Sequence, residues 1–242
     1  MAKREKAAAR VAQEIVQAIY DDRLQSGDRY LSESDALARH AVSRATFREA
    51  LRFLEFQGVV RVRVGPGGGA IVQKPDWPNL TSTFALLLQF ADAPLSEVMA
   101  ARAALEPSMA ALAAENADAD TIARLELCLA EARATVPDQR AFIAAYRDFW
   151  GTIALATGNA LTAMLWPALR ALVDSGGFVP NERYRGTLVE RMTQLLAAVV
   201  ARDADAARAL VSQLDQEFAQ RLADLYPQRV ARVIAWSDVL GE

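Results

Sequence analysis

Histidine and cysteine are almost missing from this 242-residue chain, which holds one of each, His40 and Cys128. A single cysteine excludes an intrachain disulfide and removes one common sign of export. A hydrolytic triad needs a histidine or another base beside its nucleophile, and no histidine follows residue 40. Long apolar runs are also lacking. No stretch approaches the roughly 18 to 20 uncharged residues of a membrane-spanning helix. The N-terminal MAKREKAAAR has no apolar signal-peptide core. A cytoplasmic protein without a membrane partner is expected. The GPGGG stretch lacks the lysine and Ser/Thr of a phosphate-binding loop, and it leads into a strand rather than a helix. Carboxylates are plentiful but fall on helix faces, where they read as solvation and ion pairs. Neither an enzyme nor a cofactor is expected. Cys128 sits in a Leu/Ala-rich amphipathic segment and reads as a buried structural thiol.

What is present is a chain with 52% hydrophobic and 24% charged residues, enough for packed cores and long enough for two unequal domains. The net charge of −3 hides an asymmetry. Residues 1–75 hold thirteen Lys and Arg against nine Asp and Glu, while the remainder holds fourteen against twenty-one. A basic end on an acidic body fits a polyanion bound at one end only.

Val11, Ile15 and Ile19 recur at helical spacing and predict a first amphipathic helix over 8–23. Gly27 breaks that pattern, and Ser32 can cap a short second helix through His40. Ser43 can cap a third helix that stops at Gly58. On this helix Phe47, Leu51 and Leu54 form an inward stripe, and Arg44, Arg48 and Arg52 form another about 100° away that points outward. Val60, Val62 and Val64 then alternate with Arg61 and Arg63, which is strand periodicity, and Ala70–Gln73 can return after the glycines. KPDWPN at 74–79 reads as a linker. Beyond it every segment reads as helix: about 81–92, 95–116, 118–134, 138–157, 160–175, 182–202, 204–225 and 228–238, with breakers such as Pro94, Pro137 and Gly158-Asn159 between them.

A helix entering a major groove needs short polar and cationic side chains at its N-terminal end. Ser43, Arg44 and Thr46 occupy that end, with Arg48 one turn on. A glycine-rich hairpin tip, Gly65 and Gly67, lets backbone approach a groove closely, while Arg61 and Arg63 add charge. The bland alternative is a solvated arginine face beside an ordinary loop. The order helix, helix, helix, hairpin favours DNA.

The stretch YLSESDALARHAVSRATFREALRFLEFQGVVRVRVGPGGGAIV resembles the winged helix-turn-helix of the GntR family of bacterial regulators, above all in VSR-x-x-x-REAL and in the turn LE-x-x-GVV. The resemblance implies dimeric binding to a short palindrome of double-stranded DNA, with contacts from Ser43, Arg44, Thr46, Arg48, Val64 and Gly65. Ser34 stands where many members carry a base-reading arginine. Ala36 and His40 stand where larger apolar side chains are usual, so the second helix is expected to pack less tightly.

The remaining chain resembles the FadR subfamily of these regulators, on RAALE at 102–106, FWGTIALATGN at 149–159 and AAVVARDADAARA at 197–209. Most members hold a divalent metal there on one aspartate and three histidines. The corresponding positions here are Tyr146, Trp150, Met192 and Leu214, and none suits a hard or borderline divalent ion. No metal is expected. Two readings of this apolar centre stay open: a pocket for an apolar or acyl effector, or a cavity filled by side chains in a domain that only dimerises. In the first, Arg102 anchors an acidic head group, Tyr146 and Asn159 donate or accept hydrogen bonds, and Trp150, Met192 and Leu214 line the pocket; otherwise Arg102 is a surface ion or one paired with Glu106, and Asn159 a helix cap or turn residue.

The expected protein is therefore mainly α: a winged helix-turn-helix of three helices and a β-hairpin wing at 1–75, a linker at 76–80, and an all-α antiparallel bundle at 81–242 that senses and dimerises. Its expected role is sequence-specific regulation of transcription, by repression, with operator DNA, a small-molecule effector and a second copy as partners. The alternative is a helical interaction protein whose sensor cavity is full.

Overall fold

Polar side chains start the two helices that follow α1 (Ala2–Asp21). The Ser32 hydroxyl accepts the Asp35 amide at the head of α2 (Glu33–His40), and the Ser43 hydroxyl accepts the Thr46 amide at the head of α3 (Arg44–Phe56). The computed structural model of the chain describes residues 2–63, 65, 69–74 and 76–239. Between α2 and α3 the turn passes through Ala41 at φ 51°, and α3 ends at Gly58, whose φ of 72° favours glycine. A Cβ at Gly58 would also lie 2.8 Å from Asn79 Oδ1. The hairpin pairs β1 (Val60–Arg63) with β2 (Gly69–Val72) in antiparallel register, Val60 opposite Val72 and Arg63 opposite Gly69. Val11 and Ile15 of α1 meet Phe47, Leu51 and Leu54 of α3 and the valines of the hairpin in one core. This is the predicted winged helix-turn-helix.

His40 makes a polar patch inside that core. The side chain is buried, with Nδ1 2.8 Å from a Glu14 carboxylate oxygen and Nε2 3.1 Å from the Tyr30 hydroxyl, and its ring stacks between Tyr30 and Phe47. Ala36 and His40 of the second helix are both buried in this core.

Residues 77–80 of the linker expected at 76–80 are helical. α4 (Trp77–Phe90) begins inside it, and Pro78 occupies its first turn, where a missing amide costs no intrahelical bond. The chain divides into two units after Asn79.

The second unit packs α5 (Leu95–Asn116), α6 (Ala119–Ala134), α7 (Gln139–Ala156), α8 (Ala160–Asp174), α9 (Glu182–Val200) and α10 (Ala204–Leu225) into a bundle. Asp118, Asp138, Asn159, Asn181 and Asp203 cap α6 to α10 in turn. α10 lies along α5, and α6 along α7, around Met109, Leu125, Phe142, Phe149, Ile153 and Leu195. Buried Arg185 ties loops to this core through the carbonyls of Val136, Pro137 and Pro180. Cys128 is buried as expected, and burial raises its thiol pKa. The helix expected over 228–238 is only α11 (Pro227–Val230) followed by a single 3₁₀ turn at Trp236–Asp238. There the chain extends instead. The Arg232 carbonyl accepts the Leu95 amide and Val233 bridges to Pro94. Among the described residues no helix is long and apolar enough to cross a membrane.

Candidate functional site

Two places in the chain gather chemistry, one in each unit. In the first, the capped end of α3 exposes Ser43, Arg44 and Arg48 to solvent, with Arg52 one turn further along the same row. A helix N-terminus with no acid in its first turn and outward guanidinium groups together favour a polyanion. Arg48 leans toward α2, where its Nε is 3.5 Å from a Glu33 carboxylate oxygen on a largely exposed pair. Such an exposed pair is weak and leaves the guanidinium free to exchange partners. Arg61 and Arg63 are exposed on β1, and Gly65 follows at φ 109°.

Thr46 departs from its expected role. It is buried, and its hydroxyl lies 3.0 Å from that of Ser43, so it stabilises the cap instead of facing outward. Val64 and Gly67, also expected at the wing tip, lie outside the described residues. Ser34 is exposed and its hydroxyl meets that of Ser32.

In the bundle, the four positions that correspond to metal ligands do come together. Tyr146, Trp150, Met192 and Leu214 all line one void, but it measures only about 10 Å³, room for one water at most. Trp150 stacks on Trp166 with centroids 6.2 Å apart and fills the space, and its indole N–H is buried without an acceptor among the described residues. A phenol, an indole, a thioether and an isobutyl group do not fit a hard divalent cation. Among the described residues no group of three or more His, Cys, Asp or Glu could hold one. Trp150 and Met192 are therefore packed core rather than walls of an open pocket. Asn159 lies at neither void; its side chain accepts the Leu161 and Thr162 amides at the start of α8.

The open space lies next to the filled centre. A cavity of about 150 Å³ is lined by α5, α7, α8, α9 and α10 and by the loop before α9. Tyr146 and Leu214 border both voids. Phe142, Tyr146, Phe178, Tyr184 and Phe218 line it, and exposed Val179 and Asn181 mark its rim. Burial pushes the Tyr146 phenol up to about 12, so it remains a neutral donor. The Arg170 guanidinium lies over the Tyr146 ring at 5.2 Å and is paired with Asp174 at 2.9 Å.

The inner wall holds the charges. Arg102 reaches this cavity as expected, but it is not free to anchor an acid. Its Nη2 is 2.6 Å and its Nε 2.8 Å from one Glu106 carboxylate oxygen, and both side chains are buried. Trp166 Nε1 donates to the same oxygen at 2.8 Å. Opposite them on α10 stands Asp215, also buried, whose Oδ2 accepts no hydrogen bond among the described residues. Burial pushes the Asp215 carboxyl up to about 8, and the Glu106 carboxylate within hydrogen-bond reach adds to that effect, while Arg102 opposes it.

This residue destabilises the fold it sits in. Below pH 4 both folded and unfolded chains keep the Asp215 proton. Between about 4 and 8 only the folded chain keeps it, so stability falls as pH rises, and above 8 the loss is complete. Asp215→Asn is therefore expected to match the parent at pH 4.5 and to exceed it by about 1–3 kcal/mol at pH 8. Denaturant unfolding at several pH values measures this, and a difference that does not change with pH would refute it.

Asp215, Glu106 as its neighbour, Arg170 and Tyr184 were missed as site residues by sequence reasoning. One signal was available: Val211, Asp215, Phe218 and Leu222 form a helical stripe, and an aspartate within an apolar stripe points inward.

Comparison with known proteins agrees with both halves. Residues 7–70 match the bacterial regulatory proteins of the gntR family, and residues 97–225 match the FCD domain. The chain is similar to the uncharacterised HTH-type transcriptional regulator YcbG of Bacillus subtilis (strain 168), 28% identical over 199 residues, 81% of each chain. Among solved structures it resembles the Streptococcus agalactiae GntR protein with a TM-score of 0.70 at 18% identity, covering 88% of this chain and 99% of that one. It is also similar to E. coli McbR/YncC, with a TM-score of 0.48 at 20% identity, over 90% of this chain and 98% of that one.

Proposed function

The chain belongs to the GntR family of transcriptional regulators, with an FCD domain behind its DNA-binding head, and we propose that it represses transcription from a short palindromic operator until a small organic molecule enters the bundle cavity. It acts in the cytoplasm as a homodimer, without a bound metal. The observation that carries the DNA half is the exposed row of Arg44 and Arg48 on the first turns of α3, beside the Ser43 cap. Arg44 reads a base edge, Arg48 and Arg63 hold phosphates, Ser43 offers its hydroxyl, and backbone at Gly65 approaches the groove. Leu155, Leu161 and Met164, each more than half exposed around the turn from α7 to α8, are side chains that a second copy would cover.

Arg44→Ala is expected to weaken binding to the inverted repeat nearest its own gene by at least about tenfold, the 1–3 kcal/mol of one lost arginine contact, and to flatten sequence preference at one base step. Fluorescence anisotropy with that duplex and a scrambled one, across a salt series, measures both changes. Equal affinity for the two duplexes at about 150 mM salt would defeat the reading as a specific regulator.

The effector half rests on the 150 Å³ cavity with its buried polar wall. Entry of a ligand shifts the population between two arrangements of the reading heads, which requires different affinities for the two. The filled centre at Trp150 supports a second reading, a domain that only dimerises, but the adjacent open cavity favours sensing. For metal independence, the expected outcome is simple. Prolonged EDTA dialysis leaves the unfolding temperature and operator affinity unchanged, and elemental analysis finds less than about one divalent ion per ten chains. Stoichiometric zinc or manganese would overturn it.

A further inference from the structure

The expected effector for a cavity with a buried arginine is an acid, yet the charges around Arg102 argue the other way. Its guanidinium already meets Glu106 through two nitrogens, and a second carboxyl, Asp215, faces the same pair across the cavity wall. One cation thus stands between two buried acids. A ligand carboxylate placed at Arg102 would meet both acids, with that guanidinium already held by Glu106. Two other cations line the cavity: Arg170 holds Asp174, and Arg221 lies over the Tyr184 ring at 4.3 Å. Asp215, by contrast, lacks a partner for Oδ2 among the described residues while 7% exposed, and it lines the cavity. An oxygen so placed is satisfied by a proton or by an incoming donor.

Resting on the reading of this cavity as the effector site, we propose that the ligand is a small amine whose protonated nitrogen binds Asp215. The rest of the cavity suits such a molecule. Phe142, Tyr146, Tyr184 and Phe218 line it with aromatic rings that pack apolar bodies. The volume of about 150 Å³ equals that of cavities known to take a benzene-sized body, so a ligand of roughly six to ten heavy atoms fits. On entry the ammonium replaces the proton of Asp215, leaving two acids matched to two cations.

Three probes of one size separate the possibilities: benzylamine, its neutral isostere benzyl alcohol, and benzoate. Calorimetric titration of the full-length chain at pH 7.5 is expected to show benzylamine binding at least about tenfold more tightly than benzyl alcohol, with benzoate weakest. Asp215→Asn should erase the advantage of the amine and leave benzyl alcohol unchanged. Glu106→Gln, which releases Arg102, should raise benzoate affinity at least about tenfold, and it provides an independent readout should the Asp215 variant fold poorly. Benzoate preferred by the parent chain, or an amine advantage that survives in Asp215→Asn, would overturn the proposal while leaving the cavity as the effector site. Failure of all three probes to bind at millimolar concentration would overturn both.

Discussion

Replacing Arg102 with methionine is expected to cost the helical domain about 3–5 kcal/mol at pH 8, the usual penalty for removing one member of a buried ion pair. Methionine keeps the stem that packs over the Phe218 ring, where the guanidinium carbon now lies 5.8 Å from the centroid. What disappears is the cation between Glu106 and Asp215, and both acids are then buried with no counter-charge. The chain can relieve this only by protonating them. The cost is therefore small in acid, where protons are available, and grows as pH rises. Thermal unfolding at pH 5 and pH 8 reads this directly, with an expected loss of about 10 °C at the higher pH for a domain of this size. Adding Glu106→Gln to the same chain should restore most of the loss, because a neutral amide oxygen still accepts the Trp166 indole proton. A methionine variant as stable as the parent at pH 8 would show that the pair is solvated rather than buried.

The same cluster explains why the sensor resists reading from sequence while the fold does not. Helix starts were legible because each depends on one residue and its next three neighbours. Ser32, Ser43, Asp118, Asp138, Asn159, Asn181 and Asp203 all accept backbone amides just ahead of them. Two local signals misled. Pro78 read as a linker breaker but sits in the first turn of α4, and Val233 left its helical pattern to bridge to Pro94. Thr46 was legible in principle, since it lies beside Phe47 and Ala50 on the inward face of α3. The pairing of Arg102 with Glu106 follows from four-residue spacing. That Asp215 faces them depends on how α10 lies along α5, which is a tertiary fact with no local signature. Likewise the four former ligand positions could be placed by resemblance, but whether they surround a hole depends on volume, and Trp150 and Trp166 consume it.

Asp215 also links stability to response. A buried acid that costs stability without a ligand, and gains a partner with one, gives the ligand a large differential affinity to exploit. The Asn variant would then be the more stable protein and the less responsive one. A loss of amine response without the gain in stability would separate the two roles.

The reading head is expected to depend as strongly on His40. His40→Ala removes a buried ring from between Tyr30 and Phe47 and leaves the buried Tyr30 hydroxyl and one Glu14 oxygen without their partner. Loss of a buried ring costs about 3–5 kcal/mol, and an orphaned buried hydroxyl costs about 1–3 kcal/mol. His40→Phe keeps the volume but not the hydrogen bonds, so it should fall between the parent and the alanine variant. The hydrogen bond from His40, with the charge of Arg10, holds the Glu14 carboxyl below its usual value of 4.5. That contribution is fully present above the unfolded value and is lost as pH falls through the folded one. Glu14 is 38% exposed, so solvent screens this part and packing dominates the total. The gap between parent and His40→Ala should accordingly narrow only slightly below pH 4.5. Phe47 lies one turn beyond Arg44, so loosening its packing also loosens the helix that presents the arginine row. Operator affinity in His40→Ala should therefore fall in step with the unfolding of the head as temperature rises, while Arg44→Ala loses affinity at all temperatures with its fold intact. Anisotropy and circular dichroism recorded on the same samples test this, and a His40→Ala head within about 0.5 kcal/mol of the parent would refute the structural role.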